Sequence, residues 1–183
     1  TFEQFINLDH NQAFGICCYP MADTTVQTLQ QIVHTFYQQQ KPFDMSFEKV
    51  EHLGIAVKDL NSANELYATL LGVPHYKTEE VESEHVITSF FKTGDTKIEL
   101  LQATHPDSAI AKFIEKRGEG LHHIAYAVAN INAEMERLAA NGFTLLNAQP
   151  KRGADNKWVC FVHPKNCNGV LTELCQDIEP QAQ

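Results

Sequence analysis

The sequence predicts an α+β fold made of two βαβββ modules in tandem, and three repeated features carry that prediction. A strand-like segment over residues 51–57, Glu-His-Leu-Gly-Ile-Ala-Val, is echoed by His-His-Ile-Ala-Tyr-Ala-Val over residues 122–128. Each copy runs into a helical segment that starts at a capping residue and stops near a glycine. β-Branched and aromatic runs follow each helix and end in a Glu-Leu pair. Two copies of so long a unit favour a paired-module domain over a repeat array.

The first module is expected over residues 47–104, with the strand around His52 at its start. Asp59 caps the helix that follows, and Gly72 ends it after apolar residues at three- and four-residue steps. Later strands are expected at residues 86–91 and 98–101.

The second module is expected over residues 120–177, after a linking helix over residues 105–119 and before a tail over residues 178–183. Asn130 caps its helix and Gly142 ends it. Later strands are expected at residues 158–162 and 169–174.

Residues 1–46 stand outside the repeat and are expected to form an N-terminal extension with one amphipathic helix. Its apolar face is expected to hold Val26, Leu29, Val33 and Phe36, opposite a face rich in glutamine. We expect this helix to pack on the modules or on a second subunit, and a regulatory role is the alternative.

Composition narrows the functional classes. The 183 residues carry a net charge of −9, which argues against non-specific binding to nucleic acid or anionic membranes. Five cysteines without a CxxC pair indicate neither a disulfide framework nor a zinc–cysteine site. No apolar run has transmembrane length, so a cytoplasmic protein is expected.

One stretch of the second module is basic, with Asp155 as the only acidic residue opposing its cations, which are Lys151, Arg152, Lys157 and Lys165. This stretch is either a rim that holds a phosphorylated ligand or ordinary solvated surface charge.

The repeat also aligns four possible metal ligands: His52 with His123, and Glu99 with Glu173. Because strand side chains alternate between faces, each histidine shares its face with small residues, which leaves room for an ion and a substrate. An ionised glutamate inside an apolar strand is costly unless it is paired or bound to metal. Two imidazoles and two carboxylates suit a divalent ion such as Co²⁺, Zn²⁺, Ni²⁺ or Mn²⁺. By the same alternation, His122 is expected on the opposite face, in a structural or supporting role.

Four segments together resemble the methylmalonyl-CoA epimerase family of the vicinal oxygen chelate superfamily, which also includes glyoxalase I and bleomycin-resistance proteins. They are His52-x-Gly-Ile-Ala-Val, Gly-Asp-Thr-Lys-Ile-Glu-Leu-Leu over residues 94–101, Gly-Leu-His-His-Ile-Ala over 120–125 and Gly-Val-Leu-Thr-Glu-Leu over 169–174. The resemblance covers residues 48–176. It implies that the paired modules form a U-shaped, eight-stranded cleft around a divalent ion, with the ligand set His52, Glu99, His123 and Glu173.

The resemblance also implies an activity: epimerisation of a 2-substituted acyl-CoA such as methylmalonyl-CoA, by α-proton abstraction through a metal-stabilised enolate. Glu173 and Glu99 are the candidate catalytic residues, and Lys151, Arg152 and Lys165 are the candidates for holding coenzyme A. Some family members carry a second glutamate on the strand where this sequence has Thr88, so the second proton carrier stays open among water, Glu99 and a loop residue.

We expect an acyl-CoA substrate and a homodimer, without nucleic-acid or membrane partners. Two alternatives remain open. One is a glyoxalase I-like lactoylglutathione lyase, because that class also uses His, Glu, His and Glu. The other is a metal-free small-molecule binding module of the same fold, which has no need of four ligands.

Overall fold

The computed structural model describes residues 47–178, and its first half runs strand, helix and three strands in order. The elements are β1 (Phe47–Ala56), α1 (Leu60–Leu71), β2 (Lys77–Val81), β3 (Val86–Thr93) and β4 (Thr96–Ala103). The Asp59 side chain accepts a hydrogen bond from the Ser62 amide, which caps α1, and Gly72 ends it with a left-handed φ of 72°.

The second half repeats this order after a linking helix. The elements are α2 (Ala109–Arg117), β5 (Gly120–Val128), α3 (Ile131–Ala140), β6 (Lys151–Arg152), β7 (Lys157–Val162) and β8 (Leu171–Asp177). Asn130 caps α3 through the Ala133 amide, as Asp59 caps α1. The helix ends at Asn141, one residue before the predicted Gly142.

All eight strands form one curled sheet in the order β2-β3-β4-β1-β5-β8-β7-β6. The two opening strands, β1 and β5, pair antiparallel at its centre, and each pairs in parallel with the last strand of its own half. The strands that carry the four predicted ligands are therefore the central four. The predicted α+β fold of paired βαβββ modules is confirmed.

Alternation along the strands separates the core from the cleft. In β4, Leu100 packs with Phe91 beneath α1, whereas Glu99 and Leu101 line the cavity. In the second half, Leu174 packs beneath α3, whereas Glu173 lines the cavity. Burying a side chain such as Leu100 stabilises the fold by roughly 2 kcal/mol. The apolar face under the helices therefore keeps in place the strands that present polar groups on their other face.

Two sets of predictions lie outside these observations. The N-terminal helix of residues 1–46 and residues 179–183 of the tail fall outside the described part of the chain, and the module boundaries stay predictions. The homodimer and the cytoplasmic location stay predictions. Between residues 47 and 178, no helix is both long enough and apolar enough to cross a bilayer.

Candidate metal centre

Three of the four predicted ligands converge at the centre of the sheet. The Nε2 atoms of His52 and His123 lie 3.0 Å apart, and Glu173 Oε2 lies 3.2 Å from His123 Nε2 and 3.8 Å from His52 Nε2. All three side chains are buried. Ligands at right angles and about 2.1 Å from an ion lie about 3 Å from each other, so these separations match one coordination sphere.

Glu99 lies beside this group rather than within it. Its Oε1 is 3.4 Å from His52 Nδ1, on the side of the imidazole away from the His52–His123 contact. Among the described residues, His52, His123 and Glu173 form a set whose donor atoms lie within 4.8 Å of one another, and Glu99 is not part of it. Its role as fourth ligand stays a prediction.

A glycine makes the approach of the histidines possible. Gly54 is paired with His123 across β1 and β5, and a Cβ at Gly54 would lie 2.1 Å from the His123 ring. Any side chain at this position would displace the imidazole. At the matching position in the second half, Ala125 is paired with His52, and its methyl group is accommodated.

Two β-bulges determine which neighbours the ligands have. In β1, Val50 pairs with Tyr126 and His52 with Ala125, so Glu51 is the extra residue of a bulge. Bulges re-aim side chains, and Glu51 is accordingly buried beside His52 instead of facing the opposite way.

The bulge in β5 does the same for the second histidine. Gly54 pairs with His123 and Ile55 with Leu121, which leaves His122 as the extra residue. His122 lines the cavity, and its Nδ1 lies 2.9 Å from Nδ1 of His123. Its predicted position on the opposite face is wrong, because the bulge interrupts the alternation; the supporting role agrees with the contact.

Glu51 joins the site to a cluster of charges from both halves. Its Oε2 accepts a hydrogen bond from His52 Nδ1 at 2.5 Å, and its Oε1 contacts Lys97 Nζ at 2.5 Å and Lys157 Nζ at 3.4 Å. Lys97 also contacts Asp155, at 2.6 Å. Burial disfavours the charged form of Glu51, but hydrogen bonds from His52 and Lys97 outweigh burial and lower its pKa to about 2.

The two ligand histidines differ in charge. Burial lowers the pKa of His52, but the charge of Glu99, the hydrogen bond to Glu51 and the charge of Glu173 together raise it to about 9. Burial holds the pKa of His123 well below its usual value, and repulsion from His52 lowers it further. In the metal-free protein His52 is therefore charged and His123 neutral.

Burial raises the pKa of both candidate catalytic carboxyls. The pKa of Glu173 rises to about 7, since the loss of water outweighs attraction to His52. That of Glu99 is raised for the same reason, with His52 and Lys97 opposing. In the metal-free protein, burial therefore makes both carboxyls stronger proton acceptors than an exposed glutamate.

The site opens into a cavity of about 290 Å³. Lys151 and Arg152 line it, whereas Lys165 is exposed on the turn before β8 and is not among the lining residues. Arg152 reaches Asn156, and Lys151 Nζ lies 2.5 Å from Glu84 Oε1.

The basic stretch is more strongly neutralised than its sequence indicates. Lys157 pairs with Asp177 at 2.5 Å and reaches Glu51, and Lys151 pairs with Glu84 from the first half. Asp155 is therefore not its only acidic neighbour. Asp177 lies opposite Lys157 on the neighbouring strand β8, whereas Glu51 and Glu84 come from the first half, and the pairing of the modules brings them to these lysines.

Comparison with known proteins agrees with this geometry. The model of the glyoxalase/bleomycin resistance protein/dioxygenase superfamily matches residues 51–161. The ethylmalonyl-CoA/methylmalonyl-CoA epimerase of Cereibacter sphaeroides is 42% identical over 131 residues, covering 70% of this chain and 97% of the relative. The human mitochondrial methylmalonyl-CoA epimerase is 36% identical over 156 residues, covering 85% of this chain and 84% of the relative.

A solved structure shares the fold. The methylmalonyl-CoA epimerase of Streptomyces coelicolor, as a variant in complex with 2-nitronate-propionyl-CoA, superposes with a TM-score of 0.69 at 35% identity. The match covers 73% of this chain and all of that one. The fold and the match over residues 51–161 place the chain in the glyoxalase/bleomycin resistance protein/dioxygenase superfamily. Within that superfamily, it belongs to the methylmalonyl-CoA epimerase family, a family of isomerases.

Proposed function

We propose that this protein is a metal-dependent epimerase of a 2-substituted acyl-CoA, with methylmalonyl-CoA as its substrate. The observation that carries the proposal is the buried set of His52, His123 and Glu173, whose donor atoms lie 3.0–3.8 Å apart at the floor of a cavity. The names of the relatives supply the substrate class: methylmalonyl-CoA for the human protein, and ethylmalonyl-CoA as well for the bacterial one.

The donor set fits a divalent ion of the Co²⁺, Zn²⁺, Ni²⁺ or Mn²⁺ kind. Imidazole nitrogen and carboxylate oxygen are the donors these ions take, and a second carboxylate, Glu99, adjoins the group at 3.4 Å from His52. When bound, a divalent ion supplies Lewis-acid polarisation of a substrate carbonyl oxygen.

Glu173 is proposed as the base on one face of the α-carbon: it takes the α-proton of one epimer, and in the reverse direction it protonates the enolate to form that epimer. Its carboxyl is buried and lines the cavity, where a bound substrate can reach it. Epimerisation requires a proton carrier on each face of the α-carbon. Glu99, the counterpart of Glu173 in the other half, is proposed as the second carrier, because it also lines the cavity with a raised pKa.

The other candidates for the second carrier are weaker. Thr88 lines the cavity and is 1% exposed, but its hydroxyl does not titrate in the physiological range. Glu84 is an acidic loop residue on the wall, and its carboxylate is engaged by Lys151. Glu99 has no such lysine partner within 4.0 Å among the described residues.

Lys151 and Arg152 are proposed to hold the coenzyme A moiety. Both line the cavity, and phosphates favour arginine and lysine as partners. Lys165 is proposed only as a more distant contact, since it does not line the cavity.

Hydrogen exchange tests the function directly. When the protein is incubated with a divalent ion and methylmalonyl-CoA in D₂O, the substrate should incorporate deuterium at its α-carbon. Mass spectrometry and NMR measure this incorporation. The hemithioacetal of methylglyoxal and glutathione serves as the competing substrate. Turnover of the hemithioacetal without α-exchange of methylmalonyl-CoA would overturn the proposal in favour of a lyase. Binding of either compound without any reaction would favour a binding module.

A further inference from the structure

Three buried glutamates surround His52 in the described part of the chain, Glu51, Glu99 and Glu173, and of these Glu51 does not line the cavity. Its side chain is 5% exposed, as buried as those of the ligand residues. Its two oxygens have separate partners: Oε2 contacts His52 Nδ1, and Oε1 contacts Lys97 and Lys157. Glu51 therefore lies behind the site, between a ligand and two cations.

The contacts of Glu51 determine which nitrogen of His52 carries a proton. Glu51 Oε2 lies 2.5 Å from His52 Nδ1 and its other oxygen contacts Lys97 and Lys157, so this lysine-paired carboxylate is the acceptor and the Nδ1–H of His52 is the donor. With Nδ1 protonated, Nε2 is the atom that His52 offers to an ion, and Nε2 faces His123 and Glu173. The contact with Glu51 thus determines which nitrogen binds.

The supporting lysines fix Glu51 from two directions. Lys97 comes from β4 of the first half, and Lys157 comes from β7 of the second. Asp155, on the turn before β7, holds Lys97 at 2.6 Å and Lys77 at 3.1 Å. Both halves therefore restrain the carboxylate, and a buried, doubly held carboxylate loses little further freedom when the histidine binds an ion.

The bulge shows that this contact depends on a specific backbone feature. In a regular strand Glu51 and His52 would point to opposite faces, and the extra residue in β1 brings them together. A carboxylate that accepts from the non-ligating nitrogen of a histidine orients the ring and makes it a stronger donor.

We propose that Glu51 is a positioning residue for the metal centre: it holds the Nδ1–H of His52 so that Nε2 faces the ion, and Lys97, Lys157 and Asp155 hold Glu51 in turn. The proposal rests on the metal centre of the proposed function and adds to it a residue that acts through His52 without contacting the substrate.

Two substitutions of Glu51 test this role, with a control at an equally buried glutamate. Glu51→Gln keeps the shape and removes the charge, and Glu51→Ala removes the hydrogen bond as well. We expect Zn²⁺ affinity, measured by competition with a chromogenic chelator, to fall about 10-fold in the first and about 100-fold in the second. Glu134→Gln is the control, since Glu134 is also 5% exposed and is paired with Arg137 on α3. It should retain wild-type Zn²⁺ affinity.

A spectroscopic readout separates positioning from general destabilisation. In wild-type protein with ¹⁵N-labelled histidine, the Nδ1–H proton of His52 should exchange slowly with water, and in Glu51→Ala it should exchange rapidly, with or without Zn²⁺. Asp155→Asn, more distant from the ion, should weaken Zn²⁺ binding by a smaller factor. An unchanged Nδ1–H signal with unchanged affinity in Glu51→Ala would overturn the proposal, as would an equal loss of affinity in Glu134→Gln.

Failure of the proposed function gives a different result. If the wild-type protein binds no divalent ion, the metal centre itself is refuted. The Nδ1–H measurement on the metal-free protein still reports whether Glu51 fixes the tautomer of His52: slow exchange that Glu51→Ala abolishes supports the positioning role, and rapid exchange in the wild type overturns it.

Discussion

The two halves of the sheet present their ligand histidines from equivalent strands, but the residue that contacts the histidine is a carboxylate in the first half and an imidazole in the second. In the first half the residue before the ligand is Glu51, a carboxylate tied to Lys97. In the second half it is His122, whose pKa burial lowers to about 4, so that a neutral imidazole packs edge-on against Phe113. A bulge brings each of these residues beside its histidine.

The difference separates what the repeat supplies from what it does not. The repeated strands supply position: two imidazoles and a carboxylate that meet at one point. The unrepeated neighbours supply charge, so His52 is cationic in the absence of metal and His123 is neutral. A charged support makes His52 the stronger donor, and His123 is oriented by a neutral hydrogen bond.

The largest expected effect is on the rate of α-exchange when the candidate proton carrier of either half, Glu173 or Glu99, is replaced. With single C2 epimers of methylmalonyl-CoA in D₂O and saturating divalent ion, Glu173→Gln should slow α-exchange of one epimer by about 10²–10⁴-fold, and Glu99→Gln should slow that of the other. Glu134→Gln, in the α3 ion pair, serves as the control. If Glu99→Gln leaves both rates unchanged, the second carrier is not in the first half.

The two adjacent histidines of the second half should differ sharply. His123→Ala removes a donor at 3.0 Å from His52 Nε2 and should abolish retention of the ion through gel filtration. His122→Ala removes only the contact to His123 Nδ1, and we expect about a tenfold loss of affinity. The reverse order would make His122 the ligand and would contradict the geometry.

The residues facing each histidine across the central strands offer a third comparison. Gly54→Ala places a methyl group against the His123 ring and should cost about 1–3 kcal/mol of stability while weakening ion binding. Ala125→Gly, its counterpart in the second half, should cost about 1 kcal/mol in chemical denaturation and leave ion affinity intact. Equal ion affinity in the two variants would show that the position of His123 is less constrained than the contact at Gly54 indicates.

The charges of the metal-free site predict how ion affinity varies with pH. An ion must displace protons from both Glu173 and His52 below pH 7, from His52 alone between 7 and about 9, and from neither above 9. Affinity should therefore rise about a hundredfold per pH unit below 7 and about tenfold per unit from there to 9. Calorimetry in buffers of different ionisation enthalpy measures the released protons. Affinity that is constant between pH 6 and 9 would refute this assignment of charges.

The smallest effects concern the cavity rim. Lys151→Ala or Arg152→Ala should raise KM for methylmalonyl-CoA about tenfold with kcat nearly unchanged, because such contacts are made equally in the ground and transition states. Lys165→Ala should raise KM by a smaller factor than either of these changes, since Lys165 does not line the cavity. A drop in kcat instead of a rise in KM would place the basic pair near the reacting atoms.

The sequence predicted the fold because its repeat is regular where the core is. Capping residues and alternating apolar positions recur in both halves, and they determine the helices and central strands. Alternation also placed His52, His123 and Glu173 on the cleft side, where the structure has them. It failed for His122 and gave no indication that Glu51 lies beside His52, because a bulge shifts the face of a side chain and has no signature in single-sequence periodicity.

Charge pairing was the other part that the sequence could not supply. Lys151 and Lys157 read as free cations in their own stretch, yet their partners Glu84 and Glu51 come from the first half. Such pairs depend on how the modules meet, which local patterns do not encode. For the contacts of Glu51 and His122 with the ligand histidines, the sequence offered one signal: each of these residues directly precedes its histidine.

X-ray absorption of the zinc-loaded protein tests most directly the claim that each half contributes one histidine to a single ion. Multiple scattering from imidazole rings counts the histidine ligands. We predict two imidazoles with oxygen donors, at about 2.0–2.2 Å from Zn²⁺. We predict one imidazole in both His52→Ala and His123→Ala, measured at equilibrium with concentrated protein in excess of Zn²⁺, because these variants lose the ion on gel filtration. Two imidazoles remaining in either variant, or fewer than two in the wild type, would contradict the account.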